Sequence, residues 1–322
     1  MKKSSRFAFT FIRHPISRFI SGYTEVEFRY SEDIKGMPLF ASIPSMNRVK
    51  EFIRFIVSSH GDTGFFSRYG VHIRHIYPQI GAVLLSQEKE ISRPIRLYKI
   101  ENFHAEFNRL CRDLNETNND GLLLCQIYRS SPPYIHPTSS DPLGTTDRVK
   151  TLFRQAENYH AQSFSSQHAT ITTFEDEEGE EEKEKAAAVD HHHHDAESGS
   201  ESSFALSYLV AVCRFYLVDF ICLGYNLPSS CEHLINETFN FLKFNTQIPV
   251  NNNNDMRELK SVLCSNISVI NIIQFEQLSR AQLELSLEDN CDVVSSKKYR
   301  HHGNEIDINM NVVKSNIYNF DY

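Results

Sequence analysis

The chain has 322 residues, 40% of them apolar, with 23 Phe and 14 Tyr, enough for a sizeable core in one large domain or two small ones. Its formal charge of −8 misleads, because the stretch 175–201 alone holds 12 acids and 2 lysines, leaving 31 basic and 29 acidic residues elsewhere. A body so close to neutral argues against generic nucleic-acid binding and leaves room for a small anionic ligand.

The first predicted elements lie near the start. Phe7, Phe9 and Phe11 alternate with Ala8, Thr10 and Ile12, a run apolar on both faces, as in a strand inside a covered parallel sheet. Pro15 stops the run and suits the first residue of a helix. Ile16, Phe19, Ile20 and Tyr23 then recur at helical spacing, with Ser17, Arg18 and Ser21 on the opposite side. Val49, Phe52, Ile53 and Ile56 predict a second amphipathic helix. The segments "SSHGDTGFFSRYG" and "VHIRHIYPQIGAVLL" follow, then a short strand "IRLYKI" (Ile95 to Ile100). The next helix has Phe103, Phe107, Leu110 and Leu114 on one face. Strands alternating with helices predict an α/β fold around a parallel sheet.

Asn115 to Lys150 (115–150), rich in Asn, Ser, Pro and Thr, reads as a loop insertion. The acidic low-complexity stretch 174–203 is expected to be disordered, because it lacks apolar groups that could offset ordering entropy. His191 to His194 lie within it with no fixed second shell, so no metal site is expected. Phe204 to Leu223 is strongly apolar yet contains Arg214 and Asp219, and reads as a buried helix rather than a membrane span. Beyond it, 228–322 is expected to be an extension, partly helical near Met256 to Leu287 and otherwise disordered.

Seven cysteines form no C-x-x-C pair, which argues against a zinc ribbon or a thioredoxin-type site and predicts buried or partly paired thiols. Glycosylation sequons begin at Asn115, Asn236 and Asn266, usable only in a secretory lumen. The start has no signal-peptide pattern, and the chain as given is expected to be soluble, with any membrane attachment requiring an anchor outside it.

The chemistry is concentrated in "FIRHPISRFISGY". An arginine where a parallel strand ends lies at the edge where open α/β sheets bind ligands. The helix that follows offers its N-terminal amides and positive dipole end, and Ser17 and Ser21 add hydroxyls. Arg13 can meet a phosphate with a two-pronged hydrogen bond. Strand, loop and helix therefore read as an anion cradle.

This stretch resembles the 3′-phosphate-binding motif R-x-P-x-x-R-x-x-S-x-Y of sulfotransferases that use 3′-phosphoadenosine 5′-phosphosulfate, with Arg13, Pro15, Arg18, Ser21 and Tyr23 in register. Two later segments are similar, in order, to those of Golgi carbohydrate sulfotransferases of the chondroitin and dermatan type. The first is "HIYPQ" (His75 to Gln79) followed by "RLYKIENFHAEFNRL"; the second is "FYLVDFICLGYNL" (Phe215 to Leu227), with Tyr216, Asp219, Phe220, Gly224 and Tyr225 matching. The resemblance implies a P-loop-related sulfotransferase fold over 6–227, with Arg13 and Ser21 on the 3′-phosphate and Arg18 and Ser17 beside them. It also implies a glycan acceptor, a Golgi membrane location on the lumenal side, and no metal.

Sulfotransferases also carry an upstream strand-loop-helix for the 5′-phosphosulfate, and only Met1 to Ser5 precede the matching strand. The expectation is thus an N-terminally incomplete domain. A truncated gene model comes first, and a non-catalytic relative that keeps only phosphate or glycan binding comes second. Transfer to a hydroxyl needs a base, for which His75 is the first candidate and His72 the second. His14 is expected to shape the loop, Glu101 to sit at a helix N-terminus, and Asp219 to satisfy buried backbone.

Overall fold

The computed structural model describes residues 7–32, 45–58, 75–80, 83, 95–117, 125–126, 141, 143–172, 196–245, 256–265 and 267–292. The opening run forms β1 (Ala8–Ile12), and "IRLYK" forms β2 (Ile95–Lys99); the two pair in parallel, with Ala8 opposite Ile95 and Ile12 opposite Lys99. Phe11 packs against Tyr98 at 5.9 Å between ring centres, but Phe9 is 40% exposed, so β1 is not covered on both faces as its apolar run predicts.

Among the described residues the sheet consists of these two strands, and the other regular elements are helices. The parallel pairing is as expected, and among the described residues the body is mostly helical with this one small sheet, which bears out a mixed helical and parallel-strand fold without extending it to a central sheet. The physical reason lies in where the apolar side chains fall: most of the buried ones sit on helices, whose backbone groups are satisfied without a neighbouring strand. Two parallel strands do not establish the P-loop-like sheet that the resemblance implies.

Helix α1 (Pro15–Glu32) starts at Pro15, and its first turn closes through the Arg18 N–H donating to the His14 carbonyl at 2.8 Å. It buries Phe19, Tyr23 and Val26 against α2 (Ser45–Ser58), which buries Val49, Phe52, Ile53 and Ile56 as their spacing predicts. Helix α3 (Phe103–Thr117) follows β2 through a tight 3-10 turn at Ile100–Asn102. The remaining helices are α4 (Thr145–Thr172), α5 (Ala196–Phe215), α6 (Leu217–Leu223), α7 (His233–Asn245), α8 (Met256–Leu263) and α9 (Ile267–Asp292). Helix α5 is the centre of the core, packed against α4 and α9, while α9 also lies on α2.

Three segment boundaries differ from the sequence reading. Helix α3 runs through Thr117 and α4 begins at Thr145, both inside the stretch 115–150 read as a loop insertion. Asp141 organises that start, accepting the N–H of Thr145 at 2.9 Å and of Thr146 at 2.6 Å. Helix α5 begins at Ala196, so the end of the acidic stretch is helical, and 173–195 with its four histidines lies outside the described residues. Position 228 does not separate an extension from a domain either. Helix α7 and helix α9 complete the same core, and the disulfides Cys213–Cys231 and Cys222–Cys264 tie the region beyond 228 to α5 and α6. A third disulfide joins Cys111 to Cys125.

Two ionic clusters, each built around one buried charge, lock the helices. Arg214 on α5, 2% exposed, donates to Glu237 on α7 at 2.8 Å and to Gln277 and Glu284 on α9 at 2.6 Å each. Glu27 on α1, 1% exposed, accepts from Thr145 at 2.8 Å and Arg148 at 3.0 Å, joining α1 to α4. Among the described residues no single helix is long and apolar enough to cross a membrane. Ser202–Phe215 with Leu217–Leu223 qualifies only as a pair bent by 55°, and α6 is fully buried in the core.

Candidate functional site

Arg13 and His14 form the short link between β1 and α1, and its conformation is held from three directions. The Gln79 side chain clamps the Arg13 peptide unit: its amide Nε2 donates to the Arg13 carbonyl at 2.8 Å, and the Arg13 N–H donates to its Oε1 at 3.0 Å. The His14 N–H donates to the Glu101 carboxylate in the turn after β2. Arg18, one turn into α1, donates from Nε to the Tyr77 carbonyl at 2.7 Å.

Gln79 is itself held from α6. The Asp219 carboxylate accepts the backbone N–H groups of Gln79 at 2.7 Å and Ile80 at 2.8 Å, and the Tyr216 hydroxyl donates to the Ile76 carbonyl. Burial pushes the Asp219 carboxyl up to about 6, against the downward pull of those two amides and of Arg18. The three separate motifs therefore meet at one place, in the order Asp219, Gln79, Arg13.

Glycines make two of these approaches possible. A Cβ on Gly22 would lie 2.7 Å from Cγ1 of Ile76 and 2.9 Å from the His75 carbonyl oxygen, so only a glycine admits the 75–76 backbone this close to α1. Gly224 ends α6 in the left-handed region at φ 69° and turns the chain so that Tyr225 comes back over the site. Tyr225 donates its hydroxyl to Glu101 at 3.2 Å, and His14 packs its ring against Phe220 and Tyr225 at 5.5 and 5.2 Å. Burial lowers the pKa of His14 despite the opposing influence of Glu101.

Beside the link opens a cleft of about 320 Å³ lined by Arg13, Arg18, Ser21, Gly22, His75 and Gln79 among others. Of the sequence candidates, Arg13, Arg18, Ser21 and His75 are brought together here. Ser17 is exposed on the first turn of α1 and does not line this cleft. His72 lies outside the described residues. Among the described residues no carboxylate pairs with the Arg13 guanidinium, and Glu25, on the rim, is paired with Arg29 at 2.7 Å. Two guanidinium-bearing residues and a hydroxyl around one cleft are groups that can donate to an anion of phosphate size.

Sequence reasoning did not assign roles to Gln79 or Tyr216. Both lie inside the motif segments quoted above, so the signal was present, but the partner of each is more than 60 residues away: Arg13 for Gln79 and Ile76 for Tyr216.

A strand end, a clamped arginine and a serine-bearing helix form one strand-loop-helix unit beside the cleft. Residues 1–164 match the sulfotransferase family, and the chain belongs to that family, whose chemistry is the transfer of a sulfuryl group to an acceptor. The match covers the Arg13 motif, the Gln79 segment and Glu101; the segment around Tyr216 and Asp219 lies outside it, yet folds onto the same site. No curated protein matches the chain, and no solved structure does.

Proposed function

We propose that the cleft binds 3′-phosphoadenosine 5′-phosphosulfate through its 3′-phosphate, and that the protein serves the transfer of the sulfuryl group to a hydroxyl of a carbohydrate, in the manner of the chondroitin and dermatan enzymes. The observation that carries this reading is the convergence of three motif segments on the Arg13 peptide, with Arg13, Arg18 and Ser21 facing one cleft. Arg13 supplies charge and a forked donor to the phosphate, Ser21 a hydroxyl donor, and the Gln79 clamp fixes the backbone that carries the arginine in advance of binding. Ordering the donors beforehand favours binding because less freedom is lost with the ligand.

A lumenal, Golgi-type location is part of the same proposal. Three disulfides support it, since such bonds persist in oxidising compartments, and Asn115 and Asn236 of the sequons are exposed on the folded chain.

The test is calorimetry with adenosine 3′,5′-bisphosphate and, as control, adenosine 5′-monophosphate. The bisphosphate is expected to bind and the monophosphate to bind far more weakly. Arg13→Ala is expected to weaken bisphosphate binding by about 1.5–3 kcal/mol, the range for a hydrogen bond to a charged group. Equal affinity of the wild type and the variant sinks the assignment.

A further inference from the structure

We propose that His75 is a third arm of the phosphate cradle, an imidazole that contacts the nucleotide's 3′-phosphate rather than the base that accepts the acceptor's proton. The inference rests on the nucleotide reading above and adds a residue to it. His75 is exposed to the cleft that Arg13, Arg18 and Ser21 line. Its place there is imposed by Gly22: the missing Cβ lets the His75 carbonyl and Ile76 come against α1 beside Ser21, while Tyr216 and Asp219 hold the segment from behind. A residue so fixed next to the phosphate-binding serine is placed to serve the end of the nucleotide that this serine holds.

Histidine changes charge in the neutral range, and its protonated ring gives a dianion a charged N–H donor. Among the described residues, the other charged groups around the cleft are Arg13, Arg18 and Glu25, with Asp219 behind Gln79 and His14 and Glu101 beyond the Arg13 link. None of them is altered by substituting His75, so a ratio of wild-type to variant affinities largely cancels their titration and that of the phosphate itself.

The experiment measures adenosine 3′,5′-bisphosphate binding to wild type, His75→Ala, His75→Gln and Arg13→Ala between about pH 6 and pH 8. His75→Ala is expected to weaken binding about tenfold near the acid end and by much less near the alkaline end. His75→Gln keeps a donor without the charge, and is expected to lose the pH-dependent part alone. Gly22→Ala is expected to reproduce the loss by pushing the 75–76 backbone away. Weakened Arg13→Ala with an unchanged His75→Ala overturns this proposal and leaves the nucleotide reading standing. Unchanged binding in His75→Ala with turnover abolished also overturns it, in favour of the base. Failure of the wild type to bind the bisphosphate removes the nucleotide reading and this inference with it.

Discussion

Asp219→Ala is expected to destabilise the fold by about 2–6 kcal/mol and to weaken binding of adenosine 3′,5′-bisphosphate, although Asp219 does not line the cleft beside Arg13. The carboxylate is fully buried and is the acceptor for two amides, those of Gln79 and Ile80. Without it both N–H groups lose their partner, at about 1–3 kcal/mol each. Gln79 is then free to move, and with it the clamp on Arg13. Loss of stability with unaltered bisphosphate affinity would separate Asp219 from the cradle and contradict the chain of contacts.

The same residue gives a pH signature. Folding raises the Asp219 carboxyl from 3.8 to about 6, so its contribution to stability is fully present below the unfolded value and is lost as pH rises through about 6. An asparagine cannot ionise and lacks this loss. Asp219→Asn is therefore expected to be most harmful in acid and roughly 2–3 kcal/mol less harmful above neutrality. Urea unfolding of both proteins at about pH 4.5 and pH 7.5 measures the difference. A gap that stays constant or widens with pH contradicts the assignment.

The second large effect is expected at Arg214, the largest fully buried side chain among the described residues. Arg214→Ala leaves a cavity and strands the Gln277 oxygen, which is buried on α9. Glu237 and Glu284 keep 28% and 43% of their side-chain surface in solvent and can relax toward it. The loss is therefore expected at about 3 kcal/mol, the lower end of the range for breaking a buried ion pair. Arg214→Met restores volume without charge and is expected to recover part of it. If methionine is as harmful as alanine in thermal unfolding, the ionic contacts rather than the packing carry the effect.

Much of the strand-loop-helix around Arg13 was legible in the sequence, because its signals are local. A strand that stops at Arg13, Pro15 opening a helix and the spacing of Ser21 and Tyr23 all follow from short-range rules, and the structure reproduces each. Helix α2 was legible for the same reason. The size of the sheet was not, since an apolar run such as Phe7 to Ile12 suits a covered strand or a half-exposed one, and only neighbours decide. Helix α7 was missed because "HLINETFNFLKFN" mixes apolar and polar residues after a proline and a pair of serines. The role of Gln79 was beyond reach: a neutral side chain carries no signature until its partners, 66 and 140 residues away, are in place.

The Asp219 contact also bears on how the protein is made. The Arg13 segment leaves the ribosome before the residue that secures its clamp, which lies 140 positions after Gln79. Synthesis proceeds from the N-terminus, so Arg13 emerges long before α6 can brace it. Completion of the clamp is consequently a late event in translation, and a nascent chain halted before α6 would display Arg13 without its brace.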